Sequence, residues 1–510
     1  MNKVIQINGN DTTIEQVWEV MHDPNIQVEI SAEAKEAIKR SRKRVEAILE
    51  KGEVVYGINT GFGSLANQVV SSEDLDLLQE NLIRSHCVGV NQPFGDAIVR
   101  GILFLRANTL CKGFSGVRLY LVESLLKLLN HNVVPIIPST GSLGASGDLA
   151  PLAHMSLALL GEGEVRYKGK QRQAREVLDE IGLLPVRLKA KEGLALINGT
   201  PVMCALGVEC LVRAKNLLKA GDIIATMSLE ALAGTDSAFH PSLHELRPHP
   251  GQKACAANLY RLLDGSQNKE AHVDCTKVQD AYSLRCVPQV HGAAYDSMNT
   301  AWNTIAIEIN SVTDNPLVFE DRCVSGGNFH GEPIAMVLGY LSMGICELGS
   351  ISERRQNRLM NHDLSSLPPF LVENPGLNSG LMIAQYTSAA CISENKSLAY
   401  PAVLDSVPTS ADQEDHVSMG VTAAKNCLTM VINLENIFAI EYMIAGQGLD
   451  LGMQAPCSAG ITGAHKLLRE HVEVLKNDRV LRHDILAAAK LIGNGTLVET
   501  VEKITGELNS

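Results

Sequence analysis

Ala145-Ser146-Gly147 is a tripeptide from which a chain can make its own electrophile. Gly147 lacks a Cβ, so its backbone nitrogen can approach the Ala145 carbonyl carbon closely enough to attack it, with only a methyl group in the way. Gly144 frees the chain to bend toward that geometry. Closure with loss of water from the ring and from Ser146 leaves an exocyclic methylene on a five-membered imidazolone. That carbon is electron-poor, a property no ordinary side chain provides. Read alone, the tripeptide is equally an ordinary connection, because Gly141, Gly144 and Gly147 recur as they do in a flexible turn or a phosphate cradle. No Lys-Ser or Lys-Thr follows, and the spacing is neither a P-loop nor a dinucleotide fingerprint.

Other positions carry chemistry that fits such a centre. Tyr56 sits in Tyr56-Gly-Ile-Asn-Thr-Gly-Phe-Gly63. An unperturbed Tyr has a pKa near ~10 and is a poor base at neutral pH, unless a cation such as Arg285 or backbone donors stabilise the phenolate. Arg285 offers a bidentate fork for a carboxylate, and is otherwise a surface or paired cation. Tyr282 reads as core packing or as a proton-handling hydroxyl, and Asn198 as a turn residue before Gly199 or a polar ligand. His86 lies four residues after Leu82 on a helical stripe, the place of a core histidine. The Glu414 carboxylate can accept a hydrogen bond from an N–H donor. His240, His244 and His249 are a possible metal set, but His244-Glu245 lacks a second His one turn on and Pro248 interrupts any helix. The sequence therefore predicts no catalytic metal.

The elements that must hold these residues read as mainly helical. Of 510 residues, 45% are hydrophobic and only 4% aromatic, which suits cores of Leu, Ile, Val, Ala and Met on long packed helices. Ser31 is a plausible N-cap for a helix that Gly52 stops, and a second helix runs from near Ser72 to His86. Three glycines between 57 and 63 mark an ordered loop. Apolar periodicity predicts helices over roughly 202–233, 290–312, 332–360, 380–397 and 416–446, and an amphipathic segment near 461–475. Helices this apolar need partners around most of their circumference, hence a bundle and burial against other subunits. The expected organisation is an N-terminal lobe with the reactive loop over 1–200, a central long-helix bundle over 201–450 and a smaller helical part over 451–510.

Composition narrows the surroundings. The net charge of −13 without a long basic run disfavours nucleic acid and anionic membranes. No uninterrupted apolar run of about 18 residues is seen, so no membrane span is expected. The N-terminus does not read as a secretory signal, and twelve scattered cysteines without a Cys-x-x-Cys pair read as reduced thiols of a cytoplasmic protein.

The fourteen-residue string Gly141-Ser-Leu-Gly-Ala-Ser-Gly-Asp-Leu-Ala-Pro-Leu-Ala-His154 resembles the cofactor loop of the aromatic amino acid ammonia-lyase and aminomutase family. The resemblance extends from Tyr56 to about residue 450. It includes Lys191-Glu-Gly-Leu-Ala-Leu-Ile-Asn-Gly-Thr200, Gln279-Asp-Ala-Tyr-Ser-Leu-Arg285, Gly326-Gly-Asn-Phe-His330 and Ser410-Ala-Asp-Gln-Glu-Asp-His-Val-Ser-Met419. It implies a fumarase/aspartase-like architecture and a 4-methylideneimidazole-5-one group formed autocatalytically from Ala145, Ser146 and Gly147. It further implies Tyr56 as the base for the β-proton, Asn198 and Arg285 on the substrate carboxylate, and Gln279, Tyr282 and Phe329 in the site. Homotetramers with sites drawn from three chains are also implied.

Substrate choice in this family is read at Ser85-His86. Phenylalanine-type members carry two apolar residues there, tyrosine-type members His followed by Leu, and histidine-type members Ser-His. Together with Glu414 and the stretch Phe239-His-Pro-Ser-Leu-His-Glu-Leu-Arg-Pro-His-Pro-Gly-Gln252, this implies L-histidine as substrate and trans-urocanate and ammonia as products. His86 and Glu414 would bracket the imidazole. Asp412 stands where Asn is more usual, Gly331 where Ala is, and Cys87 where a small residue such as Ala is. Asp412 would add negative charge near Glu414. A tyrosine- or phenylalanine-type lyase, an aminomutase with the same group, and a helical scaffold whose loop never cyclises are the rival readings. The Gly-Ser-Ser-x-Met-Pro signature of fumarase-like lyases is absent.

Overall fold

Ser31 accepts a hydrogen bond from the Ala34 amide and opens the helix Ala32–Lys51, which Gly52 closes in the left-handed conformation at φ 68°. A computed structural model describes residues 3–65, 67–270, 278–453 and 455–510 of the chain. It is mainly helical, with short strands confined to two- and three-stranded ribbons. The chain divides into two compact units.

The first unit comprises Met1–Val212, Trp302–Leu338 and Pro401–Lys425. Its N-terminal strands Val4–Ile7 and Gln27–Ile30 pair in parallel, from Val4 opposite Gln27 to Ile7 opposite Ile30. At its centre runs the helix Asp96–Cys111, buried from Ile98 onward. Leu105 and its apolar neighbours gain about 1.5–3 kcal/mol each from leaving water. The buried Arg100 of the same helix is satisfied by the carbonyls of Val20, Asp23 and Leu129 at 2.9–3.2 Å. Helix Leu75–His86 is the segment expected from Ser72; it starts at Leu75, with Asp74 in the N-cap position. The short helix Glu192–Ile197 ends at Asn198, and Pro201 starts the next helix, a position where its missing N–H costs nothing.

The second unit comprises Arg213–Ala301, Gly339–Tyr400 and Asn426–Ser510. It is built from the larger parts of the long helices Pro201–Ala231, Val287–Glu308, Glu332–Met360 and Gly420–Gly452, with Met382–Leu398 and the C-terminal helices Ala459–His471, Arg482–Gly493 and Thr496–Thr505. Glu441 and Arg355, both wholly buried, form a bidentate pair at 2.5 and 2.9 Å, and Ser228 donates to Glu441 at 2.7 Å. The buried Asp222 gathers Tyr295, Asn258, His291 and Cys255 at 2.8–3.1 Å.

Among the described residues two helices, Glu332–Met360 and Gly420–Gly452, are long and apolar enough to cross a membrane by length and composition, although neither is an uninterrupted apolar run. A search for uninterrupted apolar runs passes over them because Glu347 and Glu435 break the runs. Their apolar windows are 56% and 78% buried inside the protein, the pattern of core helices. The eleven described cysteines are free.

Candidate active site

Two interruptions of helical structure meet in the first unit: the connection ending at Gly147 and the segment Asn198-Gly199-Thr200. Gly147 and Gly199 pair as a parallel bridge. The Asp148 amide donates to the Gly199 carbonyl at 2.7 Å, and the Gly199 amide to the Ser146 carbonyl at 3.3 Å. A Cβ on Gly147 would stand 2.1 Å from the Gly199 oxygen, and its φ is +81°, so no other residue fits. On the far side, Ser418 donates to the Gly144 carbonyl at 3.3 Å and the Met419 amide to that of Leu143 at 2.9 Å. The loop is thus clamped from both sides. Helices Leu149–Leu159 and Pro201–Ala231 start just beyond the paired glycines and turn their positive ends toward this region.

Beside the clamp lies a cavity of about 780 Å³, and Tyr56, His86, Ala145, Ser146, Asn198, Phe329 and Glu414 line it. Gly147 is buried behind its wall. Ser146 Oγ donates to Glu414 Oε1 at 3.1 Å, and Thr409 Oγ1 donates to Oε2 at 3.3 Å. Thr409 and Glu414 close an antiparallel bridge across a turn whose Ser410, Ala411 and Asp412 all have positive φ, between 53° and 64°. Non-glycine residues are held there only under constraint, and the turn aims the Glu414 carboxylate. Asp412 itself is outside the lining.

Ring-nitrogen roles at His86 follow from its partners. Nδ1 lies 2.8 Å from the Leu82 carbonyl, which can only accept, so Nδ1 carries the proton and Nε2 is left as an acceptor. Burial lowers the His86 pKa from 6.5, against the Leu82 carbonyl and the Glu414 charge, which raise it. Tyr56 moves the other way. Burial raises its pKa above 10, the Gly63 backbone lowers it, and Glu414 adds to the rise. The expected relief by a cation is not found here: no Lys or Arg is among the described residues lining the cavity.

Asn198 is fixed by a buried polar cluster. Its Nδ2 donates to Asn315 O at 3.1 Å and Asp314 Oδ1 at 3.4 Å, both pure acceptors, which settles the orientation of the amide. Its Oδ1 is buried without a partner. Asp314 is held by the equally buried Lys191 at 2.7 Å, and Arg106 donates to the Asn198 carbonyl at 2.6 Å. Asp148 caps the Pro201 helix through Val202 and Met203, and burial raises its pKa to about 7. Asp314, Asn315 and Arg106 carry no local signal in the sequence, because their roles arise from pairings across more than a hundred positions or from one carbonyl contact. Gly331 has its own reason: a Cβ there would meet the Met203 tip at 2.5 Å.

Gln279, Tyr282 and Arg285 belong to the second unit and are not among the lining residues. Tyr282 is 71% exposed, and the Arg285 guanidinium lies 4.6 Å over its ring. His240 pairs with Ser242 at 2.8 Å, and His244 with Ala238 O and Gln252 at 3.2 and 3.0 Å.

The chain matches the family model of aromatic amino acid lyases over residues 12–470. It is 48% identical over 508 residues to a histidine ammonia-lyase of Natranaerobius thermophilus, covering 99% of this chain and 100% of the relative. Among solved structures, the histidine ammonia-lyase from Trypanosoma cruzi superposes with a TM-score of 0.91 at 43% identity, covering 98% of this chain and 95% of the other. The tyrosine aminomutase from Streptomyces globisporus gives 0.92 at 37% identity, covering 98% of both.

Proposed function

The chain belongs to the aromatic amino acid lyase family, and on that premise we propose that it eliminates ammonia from L-histidine to give trans-urocanate, as a carbon–nitrogen lyase. The observation that carries the reading is the cavity in which Ser146, on a loop only glycine can close, meets Glu414 and His86, two groups suited to an imidazole.

The prosthetic group of this reading is 4-methylideneimidazole-5-one, built from Ala145, Ser146 and Gly147. The residues fit it: Gly147 is pressed against Gly199 where no side chain can stand, and the Gly199 amide already donates to the Ser146 carbonyl. When formed, the group supplies an electrophilic carbon that takes the substrate amine and makes it a better leaving group.

The chain's own side chains do the rest. His86 Nε2 and Glu414 both offer lone pairs, so an imidazole between them is favoured in its doubly protonated form. That form draws electrons from the β-carbon and acidifies its proton. Tyr56 removes that proton once a cation lowers its raised pKa. Asn198 keeps a buried acceptor oxygen without a hydrogen-bond partner, which suits the substrate amino group better than the carboxylate, so Arg285 is left to hold the carboxylate.

The proposed assembly is a homotetramer in the cytoplasm, in which other copies bring Gln279, Tyr282 and Arg285 to the cavity. Three features support it: the exposed Tyr282 beside Arg285, a cavity far larger than one amino acid fills, and the lack of a Lys or Arg among the described residues that line it with Tyr56. The test is to mix the purified protein with L-histidine and follow urocanate absorbance, with L-tyrosine and L-phenylalanine in parallel. Urocanate alone supports the reading. Coumarate or cinnamate keeps the chemistry and overturns the roles of His86 and Glu414, and a β-amino acid product identifies an aminomutase.

A further inference from the structure

We propose that His330, Glu332 and His416 form a binding site for a divalent transition-metal ion of the zinc class on the wall of the same cavity. His330 and His416 both line it. The ligand atoms of the three residues all lie within 4.8 Å of one another.

The hydrogen bonds around the cluster leave a ring nitrogen of His330 beside a carboxylate oxygen that has no hydrogen-bond partner. His330 Nε2 lies 3.3 Å from the His416 backbone carbonyl, which can only accept, so Nε2 carries the proton. Nδ1 is then the lone-pair nitrogen; it accepts weakly from the Glu332 amide at 3.3 Å and lies 3.9 Å from Glu332 Oε2. A metal-bound histidine is characteristically arranged this way, with its other ring nitrogen donating to a backbone carbonyl. Glu332 Oε2 is buried and has no hydrogen-bond partner. His416 Nε2 lies 3.9 Å from the same oxygen, on a ring stacked parallel to His330 at 5.8 Å. These separations are too long for hydrogen bonds. Ligands at about 2.0–2.2 Å from a tetrahedral zinc stand about 3.3–3.6 Å apart, so closing the site takes a shift of a few tenths of an ångström in each His–Glu separation and of up to about 1.5 Å between the two histidine nitrogens, which lie within 4.8 Å of each other. His416, with 64% of its side chain exposed, is free to make it.

Two imidazoles and one carboxylate favour zinc, copper or cobalt over magnesium or calcium, which prefer all-oxygen sites. Three protein ligands leave a position open, and L-histidine presents amine and imidazole nitrogens that would fill it unproductively. The ion would therefore act as an inhibitor. The other converging group among the described residues, Asp222, Cys255 and His291, is wholly buried and already joined by internal hydrogen bonds.

The test is equilibrium dialysis of chelator-stripped protein against Zn²⁺, with Co²⁺ visible absorption as a second readout. Glu332→Gln and His416→Ala should each weaken one site about tenfold or more, while His249→Ala, outside the cluster, leaves it unchanged. No such site in the parent protein, or equal affinity in the variants, overturns the proposal. Exposed His416 carries the test should Glu332→Gln fail to fold. Buffered free Zn²⁺ should also slow ammonia release, with about tenfold more needed for His416→Ala; equal sensitivity overturns the placement. The binding measurement stands whatever the substrate proves to be.

Discussion

Ser146 Oγ donates a 3.1 Å hydrogen bond to Glu414 Oε1, joining residues 268 positions apart. In the proposed function, the hydroxyl that would leave during cyclisation is held by the carboxylate that would face the substrate ring. On that reading loop maturation and substrate selection would share one group.

Gly147→Ala should block maturation. Its Cβ would stand 2.1 Å from the Gly199 oxygen at a φ of +81°, so strain on the order of 1–3 kcal/mol comes with loss of the bridge. Intact mass should show no loss of two waters, and activity should vanish. A fully dehydrated, active variant would refute the clamp.

Tyr56→Phe should lower kcat on the order of 10² to 10⁴, as for a lost general base. The base form of Tyr56 must be ionised, so activity rises with pH through its pKa. Glu414 raises that pKa, and Glu414→Gln should move the rising limb to lower pH while also weakening substrate binding. The pH dependence of kcat measures this; an unmoved limb would separate Glu414 from Tyr56.

His86→Leu should cut kcat/KM for L-histidine by about 10² and improve that for L-phenylalanine, since the ring loses its acceptor. The His86 pKa is lowered below 6.5, so the neutral acceptor persists above pH 6.5 and is lost only as pH falls further. The acid limb of kcat/KM checks the direction, compared with that of the variant to subtract the substrate's own titration.

Asp148 makes stability depend on pH in an unusual direction. Its pKa rises from 3.8 to about 7 on folding, so the folded state holds the proton more tightly. The group's contribution is greatest below pH 3.8, declines as pH rises to about 7, and is flat above. Asp148→Asn keeps an acceptor for Val202 and Met203 and should remove that decline, worth on the order of a few kcal/mol. Urea unfolding of both proteins at about pH 5 and about pH 8 measures the difference.

Much of this was legible along the chain because it depends on neighbours. Ser31 and Gly52 bound their helix as residue chemistry demands, and the predicted 332–360 matches Glu332–Met360. Elsewhere the ends moved: 290–312 became Val287–Glu308 and 416–446 became Gly420–Gly452, because apolar periodicity locates a face and not a terminus.

The sequence by itself determined the Ala145-Ser146-Gly147 tripeptide, whose proposed cyclisation joins neighbouring residues, and the helices, whose caps and periodicity are local. Tertiary structure alone decided which way the Asn198 amide points, that the Tyr56 pKa goes up, and that Glu332 faces two histidines. Hydrogen-bond direction and proton affinity follow from the partners and dielectric around a group, and these come from segments that only folding brings together.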